Sequence, residues 1–215
     1  MRYAIGDIHG RAFWKNYTGQ DYESFYFTGD YFDSFDIPFS RQYRNFKEIC
    51  KAARKDRRIK LCLGNHDYHY LRGVKNQQYS GFQRLNFSKI SAILEENIRL
   101  FKIVYVTEDN YIISHAGVTS WFLNSIGGTK PEEINEAFEG DRNILAFNGP
   151  NIYGDDITQS PIWVRPRSLQ SDPLGGYNQI VGHTPVRKIT EAELNGGANK
   201  LALIDTHNTE SIYRF

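Results

Sequence analysis

Arg2-Tyr-Ala-Ile5, Ser24-Phe-Tyr-Phe-Thr28 and Ile59-Lys-Leu-Cys-Leu63 are three short runs rich in apolar and aromatic residues, and each stops at a glycine-led polar cluster. The clusters read Gly6-Asp7-Ile8-His9-Gly10, Gly29-Asp30-Tyr31-Phe32-Asp33-Ser34 and Gly64-Asn65-His66-Asp67. Runs of this length and composition read as strands. Between the second and third, Tyr43, Phe46, Ile49, Cys50 and Ala53 recur at helical spacing, which predicts a helix capped by Ser40 and ending near Lys55. Strand, helix and strand, with polar side chains at the strand ends, is the pattern of a parallel α/β sheet. Such sheets place their sites beyond the carboxyl ends of their strands.

Two further clusters lie downstream. Ser114-His115-Ala116-Gly117 closes the run Tyr111-Ile-Ile-Ser114, and Gly182-His183-Thr184-Pro185 follows Gln179-Ile-Val181. Phe82, Leu85, Ile90, Ile93 and Leu94 predict one or two helices over 80–97. Phe101 to Thr107 and Tyr111 to Ser114 read as a hairpin turned by Glu108-Asp109-Asn110. Glu132 to Phe138 reads as a short helix, since Pro131 suits a first helical turn. Phe147 to Gly176 is rich in Asn, Pro, Gly, Asp and Ser and reads as a long loop, with Asp155 and Asp156 as exposed turn acids. Lys200 to Asp205 and Glu210 to Phe215 read as a closing hairpin around His207-Asn208. No repeat, low-complexity tract or linker interrupts the chain, so one domain over residues 1–215 is expected.

Composition excludes several classes. A formal net charge of +1 provides no global attraction to nucleic acid or an anionic membrane. The basic run from Lys51 to Lys60 sits at a helix C-terminus, where the dipole favours cations, and reads as a solvated helix end. Two cysteines, Cys50 and Cys62, form no ligand-like pair, and Cys62 reads as a small buried hydrophobe. No disulfide framework is expected, which favours a reducing compartment. The N-terminus enters a strand with no signal-type segment, and no apolar run approaches the roughly 20 residues a membrane span needs. A cytoplasmic protein is expected.

The clusters share a chemistry. Asp, Asn and His beside glycine offer the mixed oxygen and imidazole ligands that Mn, Fe or Zn take, and the glycines let the backbone turn sharply into a common pocket. Two divalent ions roughly 3.5–4 Å apart can hold a phosphate between them, generate a hydroxide and stabilise both reacting oxygens. Ions that close need a bridging carboxylate, and Asp30, which leads the second cluster, is the natural one. Asp7 and His9, two apart in an extended segment, would point to one side and share a metal. Asn65, His115 and His183 offer neutral ligands for a second. His66 points away from Asn65 and is the candidate general acid, with Asp33 as the acceptor that fixes its tautomer. No cluster offers Ser or Cys beside a base, so no covalent intermediate is suggested.

In these five clusters the chain resembles the calcineurin-like metallophosphoesterase superfamily, over nearly its whole length from Asp7 to about Asp205. Within it the clusters are similar to the branch of phosphoprotein phosphatases, bacterial and phage protein phosphatases and symmetrical diadenosine tetraphosphatases. The resemblance implies two facing mixed β-sheets flanked by helices, a four-layer α-β-β-α sandwich with metals at one end. It assigns Asp7, His9 and Asp30 to one metal, and Asp30, Asn65, His115 and His183 to another. His66 and Asp33 would form the acid pair, and Arg165, in Trp163-Val-Arg-Pro166, would contact the phosphate. The implied cofactor is two divalent ions, Mn first, with Fe or Zn as alternatives. The implied partner is a phosphorylated protein or small phosphorylated substrate, with no stable nucleic-acid complex and no membrane. A serine/threonine-type protein phosphatase ranks first and a diadenosine polyphosphate hydrolase second. A phosphodiesterase or nuclease, and a non-catalytic module, follow.

The chain departs from that branch at Ser34, where an Arg gripping phosphate oxygens is usual; a serine hydroxyl cannot reproduce a bidentate guanidinium. Arg11, Arg41 and Arg44 are candidate replacements. Asp67 stands where eukaryotic-type protein phosphatases carry Glu. His69 reads as a surface or packing residue, and Asp205 as a possible buttress for a metal-bound histidine.

Overall fold

A computed structural model describes residues 1–75, 79–148, 153–206 and 212–215. Ten short strands form two five-stranded mixed sheets. In the first, β1 (Arg2–Ile5), β2 (Ser24–Phe27), β3 (Ile59–Cys62) and β4 (Phe101–Lys102) run parallel, and β10 (Tyr213–Arg214) pairs antiparallel with β1. In the second, β6 (Tyr111–Ser114), β7 (Asn178–Val181) and β9 (Asn199–Leu203) run parallel. Its antiparallel edges are β5 (Val104–Val106) and β8 (Thr190–Leu194).

The period-two alternation of the strands builds the layers. Tyr3, Ile5, Phe25, Phe27, Ile59 and Leu61 join the large core that takes in Phe46, Ile49, Cys50 and Ala53 of helix α1 (Phe39–Lys55) and Ile90, Ile93 and Leu94 of α3 (Phe87–Asn97). The alternate residues Ala4, Tyr26 and Cys62 meet Ile113, Ile180 and Ala202 of the second sheet and Ile204 just after β9, an apolar layer between the sheets. On the far face of that sheet, Val181 and Leu201 pack on Val164 and on Leu169 of α6 (Pro166–Ser171). The expected arrangement of two mixed sheets flanked by helices is the one observed. Cys50 and Cys62 are free and buried. Among the described residues no helix is long and apolar enough to cross a membrane.

Several local expectations need correction. Helix α1 begins at Phe39 behind Pro38, so Ser40 lies inside the first turn and caps nothing. Over 80–97 a 3-10 turn at Arg84–Asn86 precedes α3, and Leu85 is 99% exposed instead of buried. The run from Phe101 changes sheet at Ile103, so only its second half pairs with β6. The closing hairpin does not form: β9 pairs with β7 and β8, while Tyr213–Arg214 crosses to β1. Its expected turn at His207-Asn208 lies outside the described residues. Within the expected long loop, α6 forms and Gln159 to Val164 are buried. Asp155 and Asp156 are half-buried rather than exposed, because Asp155 accepts from the Ser168 amide (3.2 Å) and hydroxyl (2.8 Å) at the start of α6, and Asp156 accepts from the Thr158 amide.

Candidate metal centre

Six strands end at one place. Asp7 and His9 follow β1, Asp30 follows β2, and Asn65 and His66 follow β3; His115, His183 and Asp205 follow β6, β7 and β9. All but His115 line one cavity of about 480 Å³, together with Asp33, Ser34, Arg11 and Arg165, and aromatic rings of Phe35, Tyr79 and Trp163. The convergence requires unusual backbone. His9, Asp30, Asp33 and His183 hold φ of 40°, 53°, 64° and 61°, the left-handed region that non-glycine residues rarely occupy. Asp7 and His9 thus share a cavity through a left-handed turn, not through the extended segment the sequence suggested. Glycine is required where sheet ends touch: a Cβ on Gly64 would lie 2.1 Å from Asp30 Oδ1, and one on Gly182 would lie 2.2 Å from Asp7 Oδ1.

Backbone carbonyls set the histidine tautomers, because a carbonyl can only accept. His9 Nδ1 donates to Phe32 O (2.6 Å) and His115 Nδ1 to Thr28 O (2.9 Å), which leaves each Nε2 as a lone pair. His183 is reversed: Nε2 donates to Trp163 O (3.1 Å) and Nδ1 carries the lone pair. Burial holds His115 and His183 well below the usual imidazole range, so both are neutral. Their free nitrogens face Asn65 Oδ1 at 2.8 and 3.1 Å, and His115 Nε2 also lies 3.4 Å from Asp30 Oδ2. Oxygen atoms thus face imidazole lone pairs, an arrangement that a cation satisfies.

The carboxylates have the same unmet need. Asp7 and Asp30 are 6% and 1% exposed, and burial together with neighbouring acids (Asp205 for Asp7, Asp7 for Asp30) pushes both carboxyls well up. Asp7, Asp30 and His115 bring ligand atoms within 4.8 Å of one another. Arg165 is the cation in the wall. Its Nε donates to Tyr153 O, and Nη1 donates to His183 O and Thr184 Oγ1. Its Nη2 makes no hydrogen bond among the described residues. These donors fit hard divalent cations, and Arg165 fits an oxyanion beside them.

A second constellation adjoins the first. His66 Nδ1 lies 3.0 Å from Asp33 Oδ2, the pairing expected from the sequence. Tyr70 Oη donates to Asp33 Oδ1 at 2.5 Å, and Gln83 Nε2 reaches the same oxygen at 3.4 Å. His69, expected at the surface or in packing, is 1% exposed, and its Nε2 sits 2.7 Å from Asp33 Oδ2 in an off-axis contact. Burial alone would raise the Asp33 carboxyl, but His66 and His69 outweigh it and hold it below its ordinary value. Sequence reading missed His69, Tyr70 and Gln83; only the spacing of His69 from His66 hinted at one of them. It also missed the work of Asp67, which accepts from the Asp30 (2.9 Å), Tyr31 (2.9 Å) and Gly64 (3.0 Å) amides and ties two clusters together.

At the departure, Ser34 Oγ donates to Asp36 Oδ1 (2.6 Å) and accepts from the Ile37 amide (3.2 Å). Of the three candidate replacements only Arg11 lines the site; Arg41 and Arg44 line the next cavity. Asp205 is buried in the cavity wall, where its charge acts on Asp7.

Two facing mixed sheets with oxygen and imidazole donors at six strand ends define a metal-dependent phosphoesterase class. The family model described as calcineurin-like phosphoesterase matches residues 3–187, and the chain belongs to that family, whose hydrolytic phosphatases depend on metal. Solved structures agree in fold. A cold-active protein-tyrosine phosphatase of a psychrophilic Shewanella species superposes with a TM-score of 0.62 at 15% identity, over 96% of this chain and 71% of that one. A 1.1 Å structure of a cold-active protein tyrosine phosphatase gives 0.64 at 17%, over 96% and 69%. A Saccharomyces cerevisiae serine/threonine phosphatase with similarity to human phosphatase PP5 gives 0.51 at 14%, over 94% and 66%. A search of curated protein sequences returned no match.

Proposed function

We propose that residues 1–215 form one domain that hydrolyses phosphate monoesters at a centre of two divalent cations, Mn first among them. Asp7, His9 and Asp30 would hold one cation, and Asp30, Asn65, His115 and His183 the other, with Asp30 shared. The observation that supports this is the convergence of unprotonated histidine nitrogens and buried carboxyl groups on one point, with no protein cation between them among the described residues. When bound, the cations supply countercharge for the phosphate and an activated water. The chain's own groups do the rest. Arg165 offers Nη2 to a phosphate oxygen and is braced by two carbonyls and a hydroxyl. His66, with Nδ1 tied to Asp33, presents Nε2 to the cavity as the proton donor for the leaving oxygen. Asp33 is a positioning residue, since its oxygens are filled by Tyr70, Gln83, His66 and His69.

A phosphorylated protein is the favoured substrate. The reading rests on the activities that name the fold neighbours, protein-tyrosine and serine/threonine phosphatases, and on the aromatic rim of Phe35, Tyr79 and Trp163. Within that reading, the serine/threonine type is proposed. The test is a panel of an aryl phosphate, phosphoserine and phosphotyrosine peptides and diadenosine tetraphosphate. It is run on chelated protein and on protein reloaded with Mn, Fe or Zn. The expected result is no turnover after chelation, recovery best with Mn, and highest kcat/KM on the phosphoserine peptide. Full activity in chelator refutes the metal centre, and preference for the dinucleotide makes the chain a polyphosphate hydrolase.

A further inference from the structure

A second cavity, of about 560 Å³, adjoins the site, and Arg11 and Asp36 line both. Its other charged walls are Lys15, Arg41, Arg44 and Glu48, so four cations face two acids. Lys15 is paired with Glu48. Arg11 Nη2 lies 3.7 Å from Asp36 Oδ1, near the outer limit of an ion pair. Arg41 and Arg44, one turn apart on α1, are exposed and make no ion pair among the described residues. The helix opens there with no capping side chain and no acid in its first turn, so its dipole adds to the positive potential. Arg11 supplies a separate observation. Its Nη1 is buried without a hydrogen-bond partner, so among the described residues the chain holds this guanidinium only at the Asp36 contact.

We propose that this cavity is a second anion subsite, which takes a further phosphate of the same substrate while another phosphate occupies the metal centre, with Arg11 as the shared wall. The inference rests on the phosphate-ester reading above and goes beyond it: the substrate carries two phosphates, on neighbouring residues of a peptide or along a polyphosphate chain. Guanidinium groups hold phosphate through bidentate contact, and a phosphate monoester carries about −1.5 to −2 against the single charge of the Asp36 carboxylate it displaces. Ser34 fits this division. Where an arginine is usual, its hydroxyl fastens Asp36 in the partition, so the phosphate-binding cations stand one cavity further out. Asp36 is then the competing anion that yields when phosphate enters.

Binding is testable apart from turnover. In chelated protein the cations that would hold phosphate at the centre are removed, and the arginine signals report separately on Arg165 there and on Arg11, Arg41 and Arg44 of the second cavity. Titration followed by NMR of the arginine Nε–H signals is expected to show saturable shifts at Arg11, Arg41 and Arg44. The doubly substituted R41A/R44A protein should bind at least fivefold more weakly, and Asp36→Ala more tightly. All three substituted side chains are exposed, so the folded state is retained. No saturable binding, or binding indifferent to R41A/R44A, overturns the subsite.

With the Mn-loaded enzyme, kcat/KM for a doubly phosphorylated peptide, or for diadenosine tetraphosphate, should exceed that for the singly phosphorylated peptide about tenfold. The ratio should fall toward one in R41A/R44A. Whichever of the two is preferred identifies the source of the second phosphate. Phosphate binding without turnover of any probe would refute the activity and leave the subsite standing. Turnover without phosphate binding would do the reverse.

Discussion

Asp33 accepts from Tyr70, Gln83 and His66 and meets His69 off axis, and His66 is the one of these four that lines the open cavity. Tyr70 donates to Asp33 while accepting from the Gln83 amide at 2.7 Å, so the carboxylate is fixed from behind. An imidazole anchored this way loses little rotational freedom when it meets a leaving group. His66→Asn is therefore expected to lower kcat by about 10²–10⁴, the usual worth of a positioned proton donor. KM should change little, and metal content by elemental analysis should equal that of the wild type. Loss of metal in parallel with activity would make His66 a ligand instead.

At the scale of elements, the molecule spends polar side chains where strands cannot supply ladder partners. The run from Phe101 to Val106 leaves one sheet and enters the other at Ile103, which frees backbone groups in a buried position. Asn135, on α5 (Glu133–Gly140), answers them: Oδ1 accepts from the Ile103 (2.8 Å) and Val104 (3.1 Å) amides and Nδ2 donates to Val104 O (2.9 Å). Asn135→Ala leaves these groups unpaired and should destabilise the fold by about 2–4 kcal/mol in denaturant unfolding; a loss under about 0.5 kcal/mol would mean that water replaces the amide. A charged clamp works further along. Arg142 grips Glu95 of α3 at 2.6 and 3.0 Å, and the Arg72 amide donates to the same carboxylate. Burial would raise the Glu95 carboxyl, but Arg142 and the amide outweigh it and the group sits below its ordinary value. A depressed carboxyl stabilises above its unfolded pKa and loses that contribution as pH falls through the folded one. Melting temperature should therefore drop between about pH 5 and about pH 3, less steeply in Arg142→Ala, which also costs about 1 kcal/mol near neutrality. Parallel melting curves for the two proteins would remove Glu95 from the account.

At the scale of the whole molecule, what could be read from the sequence was what neighbours in the chain decide. Strands β1 to β3, helix α1 and the five clusters follow from short periodic runs ended by glycine. The change of sheet at Ile103, the pairing of Tyr213–Arg214 with β1 and the burial of His69 depend on partners far along the chain, and no local period encodes them. The same long-range assembly creates an electrostatic burden, since three of the six strand ends, those of β1, β2 and β9, deliver Asp7, Asp30 and Asp205 to one buried place. Burial and mutual repulsion raise the Asp7 and Asp30 carboxyls, so between the unfolded and folded pKa the native state holds more protons than the unfolded chain. Stability of the chelated protein should then fall as pH rises above the ordinary carboxylate range, the opposite slope to the Glu95 contribution. Divalent ions supply the missing countercharge and bind the native state alone, adding about 2.7 kcal/mol at a hundredfold excess over Kd. The gap in melting temperature between Mn-loaded and chelated protein should widen with pH. Asp30→Asn should melt above chelated wild type yet gain nothing from Mn, because it removes the repulsion and the shared ligand together. Equal melting temperatures with and without metal above that range would show that the carboxylates are neutralised from within the chain.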